Sequence, residues 1–426
     1  MWLNLNFNVS KYCLLYLKHW QNTELNERIA FFARMKSFEI TSEKYNYTKL
    51  LNYLFWVFIL VAVAISIQKL SQGERAFWGH IQSHYNNYVI FKTSFKHLLE
   101  GVNLYDLYEK EYGDFYKYSP TFAVLMAPFY YVPDWIGLVI WNLLNCLLLF
   151  YGISLLPQIS SKVKFCILSF SIIELVTSIQ NQQSNAMIAG LLLLAFICFE
   201  KQKIPLAALL IMLCFFIKLT GILACVLFLF YGKKWKFLLW SAVWVVILAA
   251  LPLLFTSISN LGMQYQNWFK LLAEDHSQSY GVSIFGMVNK WFQIEPSKLG
   301  ILIAGIILFL LPLIKMNSYK NYNFRLLYVC SLLIWIVIFN HKAESSSYIV
   351  AMIACSLWYF SFKRNEIDII LFSLAVLLIS LSPTDIFPKV IRESFILPYA
   401  LKALPAVMIW IKIQIELMTD YKNLKS

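Results

Sequence analysis

Charged residues are scarce in this sequence. They make up 14% of its 426 residues, against roughly 25% in ordinary globular proteins, while hydrophobic residues make up 60%. This composition excludes a soluble enzyme. Long apolar stretches recur from Leu50 to the C-terminus, and about 20 such residues suffice to cross the hydrocarbon layer of a bilayer. We predict an all-α, polytopic transmembrane protein with about 11 to 13 membrane helices, because lipid offers no partner for open backbone groups.

Metal-binding and leader patterns are also missing. The eight cysteines form no CxxC pair and do not cluster with histidine, so disulfides and structural zinc are not expected. We predict no metal and no cofactor. No clean apolar core followed by a cleavage site occurs near the N-terminus, which argues against a removable signal peptide. The expected organisation is a cytoplasmic N-terminal extension over 1–49, a transmembrane domain over 50–414 and a cytoplasmic tail over 415–426.

The formal net charge of +13 is a topology signal. Lys and Arg lie largely in short connections between apolar segments, where they mark the cytoplasmic side, and no nucleic-acid partner is expected. These basic connections contain Lys162 and Lys164, Lys201 and Lys203, Lys233, Lys234 and Lys236, Lys315, Lys320 and Arg325, and Lys363 and Arg364. They share one side if the Pro-bounded segment 119–132 does not cross fully or is one arm of a broken helix. The other connections, with nearly every polar cluster, are then on the extracytoplasmic face of a multi-pass plasma-membrane protein.

The first connection, from about 69 to 118, is too long for a simple turn. Part of it has the spacing of an amphipathic helix at the membrane interface, with Phe91, Phe95, Leu98 and Leu99 set against Lys92, Lys96 and Glu100. Acids and tyrosines follow this stretch. Asp106 and Asp114 could act as general base on an acceptor hydroxyl, and Lys117 and Tyr118 could hold a phosphate and a sugar. The alternative is a solvated loop with a belt of aromatic residues.

Two polar features interrupt the apolar sequence downstream. The string Gln180–Asn185 offers amides and a hydroxyl, and the side chains of Gln183 and Asn185 suit sugar hydroxyls, which need donors and acceptors. Capping of helices at the water interface is the alternative. Lys218 lies between two apolar arms, where an ionisable group is costly and therefore suggests a function. Its obvious partner is a lipid phosphate, and snorkelling to the interface is the alternative.

Histidines occur in two further connections of the same face. His276 lies within the connection 257–298, and His341, Lys342 and Glu344 lie together at the end of an apolar segment. Such side chains could bind a phosphate or transfer a proton. A structural role is the alternative for each histidine, and the spacing matches no zinc motif.

Taken in order, these strings resemble glycosyltransferase family 87, whose members include polyprenol-phosphate-mannose-dependent mannosyltransferases of the GT-C fold. The resembling strings are Gly101-Val102-Asn103-Leu104-Tyr105, Tyr118-Ser119-Pro120 with Ala127-Pro128, Trp141-Asn142-Leu143-Leu144-Asn145, Gln183-Ser184-Asn185 and Lys218. Gln183-Ser184-Asn185 is similar to the family's Gly-Gln-x-Asn, with Gln182 in place of the Gly. Lys218 is similar to the Lys of a Lys-x-x-Pro motif, with Gly221 in place of the Pro. The resemblance covers about residues 80–350.

The resemblance implies a GT-C-like membrane domain with its active site in extracytoplasmic loops, a polyprenyl-phosphate sugar donor and inversion at the anomeric carbon. It also implies an acidic base at the start of an Asp-x-x-x-Tyr-like stretch in the first loop. Asn87 holds that position here, and an amide cannot take up a proton. Either another carboxylate serves, with Asp106 and Asp114 the nearest, or the chain does not transfer sugar.

The function predicted from the sequence is a membrane hexosyltransferase, with mannose as the first choice of sugar. It would take the sugar from a polyprenyl-phosphate donor within the membrane lipid and pass it to an extracytoplasmic glycan or glycolipid acceptor. Two other classes stay open: a transporter of lipid or a small polar solute, and a non-catalytic partner in an envelope-polysaccharide complex. The amphipathic first loop favours the enzyme, and the missing Asp favours the non-catalytic partner.

Overall fold

The computed structural model of the protein describes residues 46–77, 80–274 and 280–419. Its α-helices are α1 (Tyr47–Ser71), α2 (Asn86–Glu100), α3 (Pro120–Leu125), α4 (Ala127–Tyr130), α5 (Asp134–Ser154), α6 (Ser161–Gln180), α7 (Asn185–Glu200), α8 (Ile204–Ile217), α9 (Lys234–Ala250), α10 (Ile258–Glu274), α11 (Ile284–Phe292), α12 (Lys298–Leu310), α13 (Tyr322–Ile338), α14 (Tyr348–Ser361), α15 (Glu366–Ala375), α16 (Lys389–Ile391) and α17 (Leu404–Met418). Segments of 3₁₀ helix lie at Leu219–Phe230, Leu251–Leu254, Leu311–Ile314, Met316–Ser318 and Ser345–Ser347, and π-helical turns lie at Val376–Leu381 and Arg392–Ile396. A short antiparallel hairpin pairs β1 (Glu74–Phe77) with β2 (His80–Ser83). The all-α prediction is confirmed.

Several of these helices have the length and composition of membrane spans. In the described ranges, four helices qualify outright: Tyr47–Ser71, Asp134–Ser154, Ser161–Gln180 and Lys234–Leu254. Shorter apolar helices lie at Asn185–Glu200, Ile204–Ile217, Leu219–Phe230, Lys298–Ile314 and Tyr322–Ile338. Helices are the expected form because they satisfy their own backbone hydrogen bonds within lipid. The prediction of a polytopic helical membrane protein is therefore confirmed, and the number of about 11 to 13 membrane helices stays a prediction.

Residues 119–132 form two short helices instead of a membrane span. Ser119 caps α3, because its hydroxyl accepts a hydrogen bond from the Phe122 N–H at 3.1 Å, and the ring of Pro120 suits the first helical position. α3 has six residues and α4 has four. At about 1.5 Å per residue, neither helix approaches the roughly 30 Å thickness of a bilayer core. Neither helix is therefore long enough to cross the membrane by itself, and the orientation of the chain stays a prediction.

α7 lies in the interior of the bundle and is almost entirely buried. It packs against α5 at Gly152 and Gly190, where the two backbones nearly touch. A Cβ atom on Gly190 would come within 2.3 Å of the Leu148 carbonyl oxygen. Small residues permit this close approach between helices in membranes. The close contact at these glycines lets α7, which extends from Asn185 to Glu200, lie in the interior of the bundle.

The first connection forms the predicted amphipathic helix, α2. The apolar side chains of Phe91, Phe95 and Leu98 are buried, Lys96 is half-buried, and Leu99 is exposed. Leu99 therefore lies outside the buried face on which the spacing had placed it. α2 packs on α3 and α4, so the amphipathic helix and these two short helices form one packed layer.

Candidate functional site

The segment that enters α3 is fastened to the end of α8. Ser119 Oγ donates to the Phe216 carbonyl oxygen at 2.5 Å, which fixes the chain beside the break between α8 and the following 3₁₀ helix. The hydroxyl of the preceding residue, Tyr118, donates to Gln183 Oε1 at 3.3 Å. Tyr118 and Gln183, two predicted ligands from distant parts of the sequence, therefore meet.

Lys218 lies at the break itself. Its backbone is extended, with φ −141° and ψ 122°, so the chain leaves helical geometry between the two apolar arms. The Lys218 ammonium donates to Asn185 Oδ1 at 2.5 Å, and Asn185 Nδ2 donates to the Ser346 carbonyl oxygen at 3.0 Å. Ser346 Oγ in turn donates to Glu344 Oε2 at 3.2 Å. We call Tyr118, Gln183, Asn185, Lys218 and Glu344 the polar network; its two hydrogen-bonded groups are linked by the charge of Glu344, which acts on both Tyr118 and Lys218.

Charged side chains influence the groups of the polar network and the connections beside it. The exposed Glu344 carboxylate lies within electrostatic range of both the Lys218 ammonium and the Tyr118 hydroxyl. Burial, aided by the Glu344 charge, raises the pKa of Tyr118, so this hydroxyl stays neutral and able to donate. Burial and the nearby charge of Lys117 lower the pKa of Lys342 to about 8. The charge of Lys218 thus lies near the Glu344 carboxylate, and Lys117 and Lys342 from two other connections lie near each other, an arrangement that favours an anionic ligand.

The Trp141-Asn142-Leu143-Leu144-Asn145 string of α5 fixes the turn that bears the amides. Trp141 Nε1 donates to the Gln182 carbonyl oxygen at 2.8 Å, and Asn145 Oδ1 accepts from the Met187 N–H at 3.1 Å. Gln182 has φ 48°, in the left-handed region that favours glycine, and it is the residue that replaces a Gly of the resembling motif. The string therefore acts by placing the turn, and with it the amide side chains of the polar network.

The connection between α9 and α11 anchors two lysine-bearing segments. On α10, Trp268 Nε1 donates to the Lys117 carbonyl oxygen at 3.3 Å. Just before α11, the Val282 N–H donates to the Ala343 carbonyl oxygen at 2.7 Å. Because Ala343 follows Lys342, the same connection holds the backbone at both lysines.

The predicted bases Asp106 and Asp114 make local contacts. Asp106 Oδ1 accepts from Asn103 Nδ2 at 2.5 Å, and Asp114 Oδ1 accepts from the N–H of the next residue at 2.7 Å. Both side chains are exposed. They do not join the hydrogen bonds of the polar network, and they are open to water and to an acceptor.

Asn87 contacts the turn that bears the amides. Its half-buried side chain donates through Nδ2 to the Asn181 carbonyl oxygen at 2.9 Å. An ionised Asp could not donate this hydrogen bond. The side chain at the position where the resemblance implies a base is therefore used as a neutral donor.

The tyrosines of the first connection hold the loop together. The Tyr105 hydroxyl donates to the Tyr118 carbonyl oxygen at 3.1 Å, and the Tyr116 hydroxyl donates to the Ser119 carbonyl oxygen at 2.8 Å. Both of these side chains are buried. Their hydroxyls are thus committed to the backbone, and of the tyrosines in this run Tyr118 is the one that belongs to the polar network.

Of the two predicted histidines, the structure describes His341. His276 lies outside the described residues. His341 is half-buried, with its ring centre 6.2 Å from that of Phe285 in an edge-on contact. Burial and the charge of Lys298 lower the pKa of His341, so it is largely neutral at physiological pH. His341 therefore packs against α11, and it feels the charge of Lys298 at the start of α12.

A buried ion pair beside the polar network was missed by the sequence predictions. Lys402 Nζ lies 3.0 Å from each carboxylate oxygen of Glu174, and it also donates to Ser345 Oγ at 2.8 Å. The sequence does mark both residues as unusual, because Glu174 and Lys402 are ionisable side chains within apolar segments. Nothing in the sequence pairs them, since 228 positions separate the two.

Comparison with known protein families shows which family this sequence matches. The sequence model of glycosyltransferase family 87 matches residues 115–383, well over half of the chain. The matched range contains all five residues of the polar network. A search among curated proteins finds no match. The resemblance inferred from the sequence is confirmed, and the chain belongs to glycosyltransferase family 87 and is a membrane glycosyltransferase.

Proposed function

We propose that the chain transfers a hexose, with mannose as the first choice, from a polyprenyl-phosphate donor to a glycan or glycolipid acceptor. Transfer would occur on the extracytoplasmic face of the plasma membrane, in a GT-C-type active site, with inversion at the anomeric carbon. The observation that carries the proposal is the contact between the Lys218 ammonium and Asn185 Oδ1 at 2.5 Å, at a break between two apolar arms.

Lys218 is proposed to bind the phosphate of the donor. As the bond to the sugar breaks, negative charge grows on the phosphate oxygen, and a cation that is already in place stabilises it without reorganising. Asn185 holds the ammonium through a neutral oxygen, so this contact leaves the positive charge in place for the phosphate. Lys117 precedes Tyr118 and Lys342 lies two residues before Glu344, so both add positive charge beside members of the polar network. α7 also begins at Asn185, and the N-terminal end of a helix carries partial positive charge.

The amides and Tyr118 are proposed to bind the sugar. A hexose presents several hydroxyls that both donate and accept, and side-chain amides offer both functions in one group. The hydrogen bond from Tyr118 to Gln183 is long at 3.3 Å, so a sugar hydroxyl can replace either partner at small cost. Glu344 adds a carboxylate that accepts hydroxyl hydrogens.

Asp106 and Asp114 are proposed as the alternative bases. In an inverting transfer the acceptor attacks from the side of the sugar opposite to the phosphate, so the base lies away from the phosphate-binding cation. Glu344, which interacts with Lys218, is on the phosphate side by this reasoning. The exposed carboxylates of the first connection satisfy the requirement better, because neither takes part in the polar network.

The proposal is tested by a transfer assay with the purified protein in lipid nanodiscs. Radiolabelled polyprenyl-phosphate mannose is incubated with the protein and a membrane lipid extract, beside parallel arms with polyprenyl-diphosphate and nucleotide donors. Label transfer from the monophosphate donor that disappears in Lys218→Met supports the proposal. Transfer from a nucleotide donor alone contradicts the proposed donor, and absence of transfer across donors and acceptors would favour the non-catalytic partner to which Asn87 points.

A further inference from the structure

The ion pair of Glu174 and Lys402 is buried among helices. Glu174 is fully buried in α6 and the Lys402 side chain is 6% exposed, just before α17 begins. The ammonium contacts both carboxylate oxygens at 3.0 Å, so the two charges neutralise each other. The pair lies outside the proposed phosphate-binding and sugar-binding residues.

Stability alone does not account for such a pair. Removing two charges from water costs about as much as their attraction returns, and apolar residues of similar volume commonly serve the fold as well or better. The surrounding segments are apolar, so leucine and methionine would fit the composition of this region. What the pair supplies and apolar residues lack is a fixed set of directed contacts.

Lys402 contacts the turn that contains Ser345 and the aromatic ring of Tyr348, which begins α14. Its ammonium donates to Ser345 Oγ at 2.8 Å and lies 5.2 Å from the centre of the Tyr348 ring. The Tyr348 hydroxyl donates to the Val282 carbonyl oxygen at 3.0 Å, which anchors the connection before α11. Ser345 precedes Ser346, whose carbonyl oxygen holds the Asn185 amide. One cation thus links α6 to the turn 344–347 and, through Tyr348, to the chain beside it.

We infer that Glu174 and Lys402 form a positioning pair that fixes the turn 344–347, and through Ser346 and Asn185 fixes the ammonium of Lys218. The inference rests on the proposed function for its effect on turnover, and on the structure alone for its effect on the turn. Glu174 orients Lys402, Lys402 holds Ser345, and the carbonyl oxygen of Ser346 then receives the Asn185 amide at 3.0 Å.

The experiment compares two apolar replacements of buried ion pairs. The test variant is the double substitution Glu174→Leu with Lys402→Met. The matched control is Glu200→Leu with Arg325→Met, which removes a pair at 2.7 Å with side chains 9% and 11% exposed at the other end of α7. Both variants are prepared as full chains in lipid nanodiscs. Thermal unfolding, amide hydrogen exchange by peptide and mannosyl transfer are measured for each.

The test variant is expected to unfold within a few degrees of wild type, because apolar pairs replace buried ion pairs well. Peptides that cover residues 344–348 and 184–187 should exchange at least about threefold faster, whereas peptides around Glu200 should not change. Turnover should fall at least about tenfold, because a misplaced cation loses its alignment with the reacting group. The control should show faster exchange near Glu200 and turnover within about twofold of wild type.

Unchanged exchange at residues 344–348 in the test variant would overturn the inference, whatever the turnover. Equal acceleration at every peptide would also overturn it, because the pair would then serve the whole fold. If wild type shows no transfer, the proposed function fails, and the exchange pattern still decides whether the pair positions the turn.

Discussion

The two ends of α7 hold their charged partners in different ways. At Asn185, the Lys218 ammonium is held by a neutral amide oxygen at 2.5 Å. At Glu200, the Arg325 guanidinium donates to both carboxylate oxygens, each at 2.7 Å, and the Tyr231 hydroxyl donates to the same carboxylate. The helix has 16 residues, so the two arrangements lie about 24 Å apart.

This difference indicates that the charge of Arg325 has a structural role, whereas the charge of Lys218 can act on a bound substrate. The forked Arg325–Glu200 pair matches positive with negative charge, and its donors are directed at the carboxylate that they already bind. A lysine held by an amide is fixed in place while most of its field remains for an added anion. The comparison favours substrate binding at the Asn185 end of α7. It favours a structural role, the stabilisation of helix packing, at the Glu200 end.

The largest expected contrast is in labelling from the two sides of the membrane. Asn181 and Lys201 flank α7 and are both exposed. In a background without native cysteines, Asn181→Cys should react fully with an impermeant thiol reagent added outside intact cells, because it lies on the predicted extracytoplasmic face. Lys201→Cys should react only after the cells are opened. Reaction of Lys201→Cys from outside would contradict the orientation at once.

The next largest effect should come from Lys218. Lys218→Met keeps much of the apolar volume of the side chain and removes its charge, so turnover should fall by roughly two to three orders of magnitude while the unfolding temperature stays close to that of wild type. Turnover is measured with the labelled donor. Lys201→Met, at the other end of α7, is the control and should keep wild-type turnover. Equal losses in both variants would show that the comparison between the two ends is wrong.

A smaller loss should identify the base. Asp106→Asn and Asp114→Asn each remove a proton acceptor at nearly constant shape, and the true base should lose roughly 100-fold in turnover. We expect one of the two to respond strongly and the other weakly. Glu344→Gln should mainly raise the KM of the donor, because Glu344 is proposed to bind sugar. If both Asp variants keep wild-type turnover while Glu344→Gln loses it, Glu344 takes over the role of base.

The smallest expected effect is a pH dependence of donor binding. Because the pKa of Lys342 is lowered to about 8, its side chain is mostly charged at pH 7 and mostly neutral at pH 9. The KM of the donor should therefore rise roughly fivefold between pH 7 and pH 9, as one of the nearby positive charges is lost. Lys342→Arg keeps its charge over this range and should show a flat profile. A KM that falls with rising pH would contradict the assignment.

Composition and spacing predicted the membrane character, the helical class and the amphipathic helix α2, and they identified 119–132 as a proline-bounded segment. Each of these depends on local properties: hydrophobicity summed over a window, the period of apolar residues and the effect of proline on backbone geometry. Lys218 could be chosen for the same reason, since one charge within apolar sequence is visible without any partner. The resemblance to family 87 added the donor class and the expected position of a base.

The partners of these residues could not be predicted. Tyr105 and Tyr116 lie in the same tyrosine-rich loop as Tyr118, yet their hydroxyls bind backbone carbonyl oxygens. Glu174 and Lys402 each looked like an isolated charge in an apolar segment. Their pairing depends on how α6 packs beside the start of α17, and side chains that far apart in sequence meet only through helix packing.

The sequence by itself determined that this chain lies in a membrane as a bundle of helices, because burial in lipid is decided by side-chain polarity over each 20-residue window. It also determined which polar residues are unusual for that environment. Only the tertiary structure decided which of them act together: Lys218 with Asn185, Asn185 with Ser346, and Lys402 with Glu174. The physical reason is that a hydrogen bond requires atoms about 3 Å apart, and that distance is set by the packing of several helices rather than by any local pattern.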